Sequence, residues 1–448
     1  MNIFKFKFKR TFSVLASCLL LCACSNSAAQ KPQVKELFAF DTYVSITGYD
    51  SSDDGTKELL NALSGEFSET YNKKASEFAD GNYPNILECA NVCREWDGRF
   101  GGIFGESINF TCGALTKLWG ISGENPHVPD ASELSAALST LTGEDTPFSL
   151  MPDETMLDFG ASAKGFACDK VKAQLDSTDA QCQIVSLGSS TLLYGRKPDG
   201  SKFRAAVKDP LSPSAYLGTI ATDAAFISTS GGYERYFEKN GVKYEHILSP
   251  KTGMPVETDL CSVTVIAPAE TENGGAYTAA ELPPSVNSLR RTPSSASLRR
   301  IKTTTSMSAQ ELISRFMKVQ NSPSRKTFKP TDIIIVLVAA AVLALALILR
   351  NISPESGLNA AVFHNGEQVA LLPLSKDGVY PFDEYGVTVE VKSGRVRISG
   401  SDCHDKICEK TGFISSPMQT IVCLPNRISV RIINDSNNTD SNIDVVLN

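Results

Sequence analysis

Apolar and polar positions predict a mixed domain in the first two thirds of the chain. Between residues 36 and 270, strand-like runs alternate with amphipathic stretches and Gly-rich turns. Phe38–Thr47 and Leu260–Ala267 are predicted as strands, and Gly55–Glu69 and Ala131–Leu141 as helices. This order of elements predicts a mixed α/β domain.

The pattern changes after residue 280. Residues 281–330 are rich in Ser, Thr, Pro and Arg, without a convincing period, and are predicted as a linker. Ile333–Leu349 contains only apolar residues between two charges, which predicts one transmembrane helix over 331–350. Residues 355–435 form short alternating strands such as Val387–Val391 and Arg395–Ile398 and predict a small all-β domain, and 436–448 is expected to be a loose tail.

The N-terminus has the pattern of a secretory signal. Lys5, Lys7, Lys9 and Arg10 precede an apolar stretch that ends at Leu21-Cys22-Ala23-Cys24. This tetrad resembles a bacterial lipobox, so residues 1–23 are predicted as signal peptide, Cys24 as the lipidated residue and 24–35 as a tether. An ordinary signal peptide that is cut elsewhere is the alternative. The lipid-anchored protein is expected on the extracytoplasmic face of the cell membrane.

Length and charge narrow the functional classes. The chain has 448 residues, 42% of them hydrophobic, and a net charge of −7. This length accommodates two or three domains, and the composition is globular rather than disordered. A mildly acidic chain is not expected to have nucleic acid as its main partner, which requires a clustered basic face.

Three glycine-containing turns follow strand-like runs: Asp158–Gly165, Ser186–Ser190 and Ser228–Tyr233. Small residues let the backbone approach a ligand closely, and a helix N-terminus binds phosphate. A fourth polar turn, His246–Gly253, contains one of the four histidines. One such turn is commonly just a turn, and a single His is as often structural, but together they suit a nucleotide-like ligand.

Read in order, these segments resemble the FAD:protein FMN transferases, the ApbE family, over about residues 36–280. The resemblance also rests on Phe40–Thr47, Ser68–Tyr71, Leu118–Gly120, Pro129–Glu133, Lys197–Gly200, Lys208–Pro210, Thr229–Tyr236 and Ser262–Pro268. It implies an α+β fold of the ApbE flavin transferase type. It implies a Mg2+-dependent enzyme that cleaves FAD, transfers FMN to a Thr or Ser hydroxyl of an acceptor flavoprotein and releases AMP. Divalent ions stabilise the charge that develops when a pyrophosphate is attacked.

The resemblance also assigns site residues. Asp158 would hold the flavin nucleotide, Lys164 would steady phosphate charge, and Tyr71 would stack on a flavin or adenine face. Ala161 would give its carbonyl to the metal. Lys164 and His246 are the catalytic candidates. The other positions that match FAD contacts in the family are Phe40, Ser107, Ile108, Asn109 and Val256.

The chain departs from the family at several positions. Asn109 and Ser249 stand where the family usually has Asp. The family's Ala-Asp-Ala-Leu-Ser/Thr-Thr metal motif is replaced by Thr278–Ser285, in which Glu281 is the nearest carboxylate. A hard cation prefers several oxygen ligands, so the metal site is expected to be weak.

The C-terminal region resembles NusG domain II of membrane-anchored proteins, over about residues 355–433. Cys403, Cys408 and Cys423 form an odd set. A disulfide with one remaining thiol is one interpretation, and a metal site that includes His404 is another, although the spacing is not a standard zinc pattern.

The two halves of the chain make conflicting topological predictions. Basic residues before the apolar run place the preceding segment in the cytoplasm, whereas the lipobox places the first domain outside. Met317 begins a segment typical of an independent signal-anchor protein. One hypothesis is that a frame change near Tyr277–Ser285 joins two neighbouring proteins, and the rival is a true fusion with unusual topology.

The leading functional hypothesis is an extracytoplasmic transferase that acts on a flavoprotein of a membrane redox system. The chain has no acceptor sequence of the Ser/Thr-Gly-Ala-Thr kind, so self-flavinylation is not expected. The first alternative is a lipoprotein that binds or hydrolyses FAD and has lost transfer. The second is a structural or interaction protein built around the C-terminal β domain.

Overall fold

The chain forms two compact units in the computed structural model, which describes residues 32–49, 55–99, 109–123, 125–143, 145–210, 212–256, 261–280, 358–404, 406–416, 419–434 and 443–447. Outside the described residues lie the signal sequence, Cys24, Ser107, Ile108, Glu281, the linker and the predicted membrane helix. Within the described ranges, no helix is long and apolar enough to cross a membrane.

The first unit contains helices and strands in mixed order. The helices are α1 (Thr56–Ser68), α2 (Pro84–Arg99), α3 (Gly113–Trp119), α4 (Ala131–Ser139), α5 (Ala163–Leu175) and α6 (Gly274–Ala280). The strands are β1 (Gln33–Ala39), β2 (Thr42–Gly48), β3 (Cys182–Leu187), β4 (Ser190–Gly195), β5 (Phe203–Asp209), β6 (Ser212–Thr222), β7 (Ala225–Ser230), β8 (Tyr236–Lys239), β9 (Val242–Glu245) and β10 (Val263–Pro268). Short 3-10 helices span Glu69–Tyr71, Ala75–Phe78 and Phe148–Leu150.

The second unit is mostly β-structure. Its strands are β11 (Leu358–His364), β12 (Glu367–Pro373), β13 (Gly378–Phe382), β14 (Val387–Lys392), β15 (Arg395–Ser401), β16 (Thr420–Cys423) and β17 (Ile428–Asn434), with the short helix α7 (Ile407–Lys410) and a 3-10 turn at Asp383–Tyr385. They form a four-stranded sheet, β12-β11-β17-β16, and a three-stranded sheet, β13-β14-β15. Alternating Val and Ile side chains from both sheets fill one core, as a small β domain requires.

A six-stranded sheet with the order β1-β2-β3-β4-β7-β10 lies at the centre of the first unit. Neighbouring side chains of its inner strands enter different cores: Val185 packs towards α1 and α5, whereas Ile184 packs on the opposite face. Because both faces are covered, the residues of β3 and β4 are buried almost throughout, including the polar Gln183, Ser190 and Thr191.

The chain returns to the first unit after the second one. Strand β18 (Val445–Leu447) pairs in parallel with β5, and extends the sheet β18-β5-β6. Val445 and Leu447 are buried in the core that covers the outer face of the central sheet. The prediction of a loose tail over 436–448 is therefore wrong for these residues, because alternate apolar side chains bury against β5.

The predicted elements are recovered with shifted bounds. The predicted strand Phe38–Thr47 is wrong in form: β1 and β2 pair as a hairpin, and Phe40 and Asp41 make the two-residue turn. Both turn residues have positive φ, 52° and 50°. Such turns match the twist of the flanking strands and usually contain Asn or Gly, so the sequence carries no turn signal here.

Candidate functional site

The turn that begins at Asp158 leads directly into the buried helix α5. The Asp158 carboxylate accepts hydrogen bonds from the Gly160 amide (2.7 Å) and from the Thr116 hydroxyl on α3 (2.6 Å). The Phe159 carbonyl accepts from the amides of residues 162 and 163, at 2.9 and 2.7 Å. Ala161 is exposed between these bonds, so its carbonyl is available on the surface of the turn.

Helices α5 and α6 cross without side chains between them. A Cβ atom at Gly165 would overlap the carbonyl oxygen of Gly275, so only glycine permits this approach. Asp169 of α5 accepts from the amides of Gly275 and Ala276, both at 2.8 Å. These bonds satisfy two free N–H groups at the start of α6. Burial raises the pKa of Asp169 to about 7.

A row of hydroxyl groups connects α6 to the sheet. The Thr278 and Ser228 oxygens are 3.1 Å apart, and the Ser228 and Ser190 oxygens are also 3.1 Å apart. The Thr229 amide donates to the Ser189 carbonyl at 2.8 Å. The turns at 186–190 and 228–233 therefore lie side by side. Helix α6 packs between these turns and α5, the helix that follows Asp158.

The hairpin turn Phe40-Asp41 is held from two sides. The Phe40 amide donates to the Ser64 hydroxyl at 2.8 Å, and its half-buried ring lies 5.9 Å from that of Phe67. The Asp41 carbonyl accepts from the Arg235 guanidinium at 2.9 Å. Left-handed backbone at a bulky residue is uncommon and costs free energy, so these contacts fix a strained turn at the site.

Lys164, Arg235 and His246 form what we call the basic centre. Burial lowers the pKa of Lys164, while Glu234 opposes that shift and the Arg235 charge adds to it. Arg235 also donates to the Ser122 hydroxyl at 3.3 Å. Lys164 lies in the first glycine turn and Arg235 follows the third, so two of the predicted turns bring basic residues within electrostatic reach of His246.

His246 is held as a neutral imidazole. Burial, followed by the nearby charges of Arg235 and Lys164, lowers the pKa of His246 to about 4. Its Nδ1 lies 3.2 Å from the Arg235 carbonyl oxygen. Because a carbonyl only accepts, Nδ1 carries the proton, and Nε2 is the nitrogen that can act as a base.

Tyr71 stands at the edge of this group. Its side chain is 55% exposed, which leaves a ring face open for stacking. Partial burial of the hydroxyl, followed by the charges of Asp158 and Asp41, raises the pKa of Tyr71 to about 12. The phenol is therefore neutral and lies close to both carboxylates.

Asn109 braces its own loop. Its side-chain oxygen accepts from the amide and the hydroxyl of Thr111, at 2.8 and 2.7 Å, and its Nδ2 donates to the Thr142 carbonyl at 3.2 Å. Asp158 is attached to the same loop, because its amide donates to the Phe110 carbonyl at 2.8 Å. Asn109 thus supports the position of Asp158 from the adjoining residue.

The histidine turn closes against α3. The Val256 amide donates to the Ile247 carbonyl at 2.9 Å, which places half-buried Val256 beside the base of the turn. The indole of Trp119 donates to the Gly253 carbonyl at 2.6 Å. Ser249 serves the turn with its backbone, since its carbonyl accepts from the Gly253 amide.

Sequence reasoning missed Arg235, Asp41 and Thr278 as site residues. Arg235 and Asp41 lie inside segments that carry the family resemblance, but their contact joins residues that are far apart in the sequence. Thr278 follows two glycines on α6 and is fully buried. The signal in the sequence was a Thr among the small residues of α6, which could have marked Thr278 as a site residue.

The comparisons with known proteins follow the same division of the chain. Residues 40–287 match the ApbE family, and residues 333–436 match NusG domain II. A FAD:protein FMN transferase of Treponema pallidum (strain Nichols) is 30% identical over 249 residues, 51% of this chain and 64% of the relative. One of Klebsiella pneumoniae (strain 342) is 33% identical over 172 residues, 36% of this chain and 52% of the relative.

A solved structure shows a similar extent of overlap. The crystal structure of the ApbE protein of Thermotoga maritima is 26% identical, covers 57% of this chain and 86% of its own, and superposes with a TM-score of 0.48. The chain spans between about half and two thirds of the curated relatives above. Because the family match covers more than half of its residues, the chain belongs to the ApbE family.

Proposed function

We propose that the first unit binds FAD, transfers FMN from it to a Thr or Ser hydroxyl of an acceptor flavoprotein, and releases AMP. The observation that carries this proposal is the basic centre, together with Tyr71, which lies within electrostatic reach of both Arg235 and Asp158. Lys164, Arg235 and His246 come from three separate segments and lie within electrostatic reach of one another. Family membership supplies the reaction type, and the side chains fit its charge requirements.

The basic centre suits a dinucleotide with a charged bridge. The pyrophosphate of FAD would face the cationic groups of Lys164 and Arg235, and Arg235 is already oriented by its bond to Asp41. Asp158, with both carboxylate oxygens fixed, would accept from a hydroxyl or ring N–H of the flavin nucleotide. Tyr71 would stack on an aromatic face of the ligand.

The transfer needs a base and a stabilised leaving group. The acceptor hydroxyl oxygen forms a bond to the phosphorus on the FMN side, and the bond from that phosphorus to the bridging oxygen breaks. AMP leaves with the bridging oxygen and its electron pair. His246 Nε2 would take the hydroxyl proton, and Lys164 would offset the negative charge that develops.

Mg2+ is part of this proposal through the family resemblance, but the described residues do not by themselves fit a Mg2+ site. They offer the Ala161 carbonyl and the Thr278 hydroxyl, which already bonds to Ser228 and Gly275. Both oxygens of Asp169 accept backbone bonds. Glu281, outside the described residues, is the carboxylate proposed to complete the site, with phosphate oxygens of FAD supplying further ligands.

The test is transfer to an acceptor flavoprotein that carries a Ser/Thr-Gly-Ala-Thr sequence. The full chain is incubated with FAD and Mg2+, covalent FMN is read as flavin fluorescence of the denatured acceptor, and AMP is measured by chromatography. His246→Asn should slow transfer by about 10²–10⁴-fold if it is the base. Lys164→Met should also slow transfer, because it removes the charge that offsets the developing negative charge. Lys239→Met, at an exposed site on the neighbouring hairpin, is its matched control and should not slow transfer.

A second candidate function is FAD hydrolysis or storage without transfer. The missing carboxylate among the described oxygen ligands favours it, since a loosely held cation slows chemistry more than it slows FAD binding. AMP production without covalent FMN would identify hydrolysis, and bound FAD without AMP would identify storage. Failure to bind FAD at all would refute both functions and favour an interaction protein.

The proposed location is the extracytoplasmic face of the cell membrane. The lipobox at Cys24 and the apolar run at 333–349 support it. A membrane redox system in that compartment would supply the acceptor flavoprotein. The test of the anchor is to label intact cells with an acyl-chain probe. The wild-type protein should carry the label, and Cys24→Ala should not.

A further inference from the structure

Three cysteines of the second unit converge on one buried point that the transferase chemistry does not use. Cys403 lies in the turn after β15, Cys408 lies on α7, and Cys423 ends β16. Their sulfur atoms all lie within 4.8 Å of one another. The residues are only 7%, 1% and 1% exposed, so the three thiols are buried together, with Cys403 nearest the surface.

We propose that Cys403, Cys408 and Cys423 bind one thiophilic metal ion of the Zn2+ or Cu+ class, with the remaining coordination position open to water or an external ligand. All three are free thiols in the structure. The Cys403 and Cys408 sulfur atoms are 3.6 Å apart. A tetrahedral ion with metal–sulfur bonds of about 2.3 Å separates its sulfur ligands by about 3.8 Å, so the spacing suits shared coordination.

The convergence favours a metal over a disulfide. A disulfide joins two sulfur atoms at about 2.0 Å and would leave the third cysteine as an unused thiol in the same pocket. A metal uses all three, and it explains why a turn, a helix and a strand each deliver one sulfur atom to the same point. Soft thiolate sets select Zn2+ and Cu+ over hard cations such as Mg2+.

Polar groups around the sulfur atoms are placed as supports for metal ligands. The Ser401 hydroxyl lies 3.6 Å from the Cys423 sulfur and accepts from the Cys403 amide at 3.2 Å. The Asn426 backbone N–H also donates to Cys423. Hydrogen bonds of this kind orient metal ligands and stabilise thiolate charge.

The loop that carries two of the cysteines is tied down by charged groups. Glu409 accepts from the Ser401 amide at 2.7 Å and pairs with the Lys406 ammonium at 3.1 Å. Lys406 also interacts electrostatically with Cys403 and Cys408. Three thiolates that bind one Zn2+ or Cu+ ion leave a net negative charge on the complex. The Lys406 ammonium offsets part of that charge.

The test measures metal in the full chain purified under argon with a phosphine reductant and equilibrated with Zn2+. We expect one more zinc per chain in the wild type than in Cys423→Ser, whereas Cys261→Ser, at an exposed cysteine of the first unit, keeps the wild-type content. Ser401→Ala should weaken zinc binding by about 10–100-fold, as loss of a supporting hydrogen bond does. Cys403→Ser, nearest the surface, is the second variant in case Cys423→Ser unfolds.

Co2+ and Cu+ test the geometry of the site and the identity of its preferred ion. Co2+ should give sulfur-to-metal charge-transfer absorption with tetrahedral d–d bands in the wild type, and neither in Cys403→Ser. Cu+ is then supplied to the zinc-loaded protein at a level buffered by a Cu+-specific chelator. If Cu+ displaces zinc, copper is the preferred ion; if zinc is retained, zinc is the preferred ion. Equal metal content in wild type and both cysteine variants overturns the proposal. So does a metal-free wild type with a mapped disulfide between two of the three residues.

Discussion

Removal of one side chain from β18 tests whether the C-terminal strand belongs to the folded first unit. Leu447 is 3% exposed and packs in the core beside Phe203 and Val207. Its neighbour Val446 has the opposite orientation and is only half-buried. Leu447→Ala therefore removes core contacts, whereas Val446→Ala is a matched control on the same strand.

The expected size follows from the burial. Leu→Ala substitutions in cores cost about 2–5 kcal/mol, and an edge strand lets solvent fill part of the cavity, so we expect about 2–3 kcal/mol. In a unit of this size each kcal/mol lowers Tm by about 2–4 °C, which gives a decrease of about 5–10 °C. Val446→Ala should cost less than about 1 kcal/mol, as most substitutions away from the core do.

A charged contact next to the strand provides an independent measurement. The Asp444 carboxylate pairs with the Lys197 ammonium at 2.8 Å, and the two side chains are 11% and 13% exposed. Asp444 also accepts from the Arg204 amide at 2.7 Å. A double-mutant cycle with Asp444→Asn and Lys197→Met should give a coupling energy of about 1–3 kcal/mol, because the pair is shielded from solvent.

The assay is thermal unfolding of the full chain by differential scanning calorimetry, with FAD added in parallel. FAD should raise the Tm of the transition that belongs to the first unit, since a ligand of the native state stabilises it. Leu447→Ala should lower that same transition and leave any other in place. Equal Tm values for Leu447→Ala and Val446→Ala, together with zero coupling in the cycle, would show that β18 does not dock in solution.

The remaining predictions concern the site. Gly165→Ala should destabilise the first unit by about 1–3 kcal/mol in urea unfolding, because its Cβ would meet the Gly275 carbonyl. Asp169→Asn should cost about 1–3 kcal/mol in the same assay, since an amide cannot accept from both N–H groups as the carboxylate does. The pKa of His246 lies below that of an unfolded His, so its contribution to stability is complete above pH 6.5 and lost towards pH 4. The raised pKa of Asp169 contributes the opposite slope in both proteins, so the measurement is the difference in unfolding free energy between the wild type and His246→Gln. This difference should rise from pH 4 to 6.5 and then level off, and NMR should find the ring neutral at pH 6.

The sequence predicts the elements better than their connections. Helices over Thr56–Ser68 and Ala131–Ser139 follow from apolar spacing, and Asp130 caps the second with bonds from the amides of residues 132 and 133. The hairpin turn at Phe40-Asp41 could not be predicted, because it uses two residues that rarely adopt positive φ. Helix α5 begins at Ala163, inside the segment Asp158–Gly165 that the sequence predicts as a turn, because a glycine at position 165 is more typical of a turn than of a helix.

Long-range contacts account for what the sequence does not reveal about the site. Lys164 and His246 lie within electrostatic reach of each other, and Asp158 within reach of Tyr71. Their roles towards FAD, which come from the family resemblance, stay predictions. Arg235, in the segment between β7 and β8, donates to the Asp41 carbonyl across a large separation in sequence, and no local pattern predicts that contact. The pairing of β18 with β5 is equally remote, and a three-residue strand is too short to show a period.

The returning strand also bears on whether this chain joins two reading frames. A tail that belonged only to a downstream protein would have no reason to present Val445 and Leu447 to the core of the first unit. Nor would it carry an acid that pairs with Lys197. The alternating burial of β18 therefore favours a true fusion, in which the second unit is inserted before the last strand of the first. Deletion of residues 443–448 separates the two hypotheses: in a fusion the FAD-sensitive unfolding transition drops by at least as much as in Leu447→Ala, whereas in joined frames it does not move.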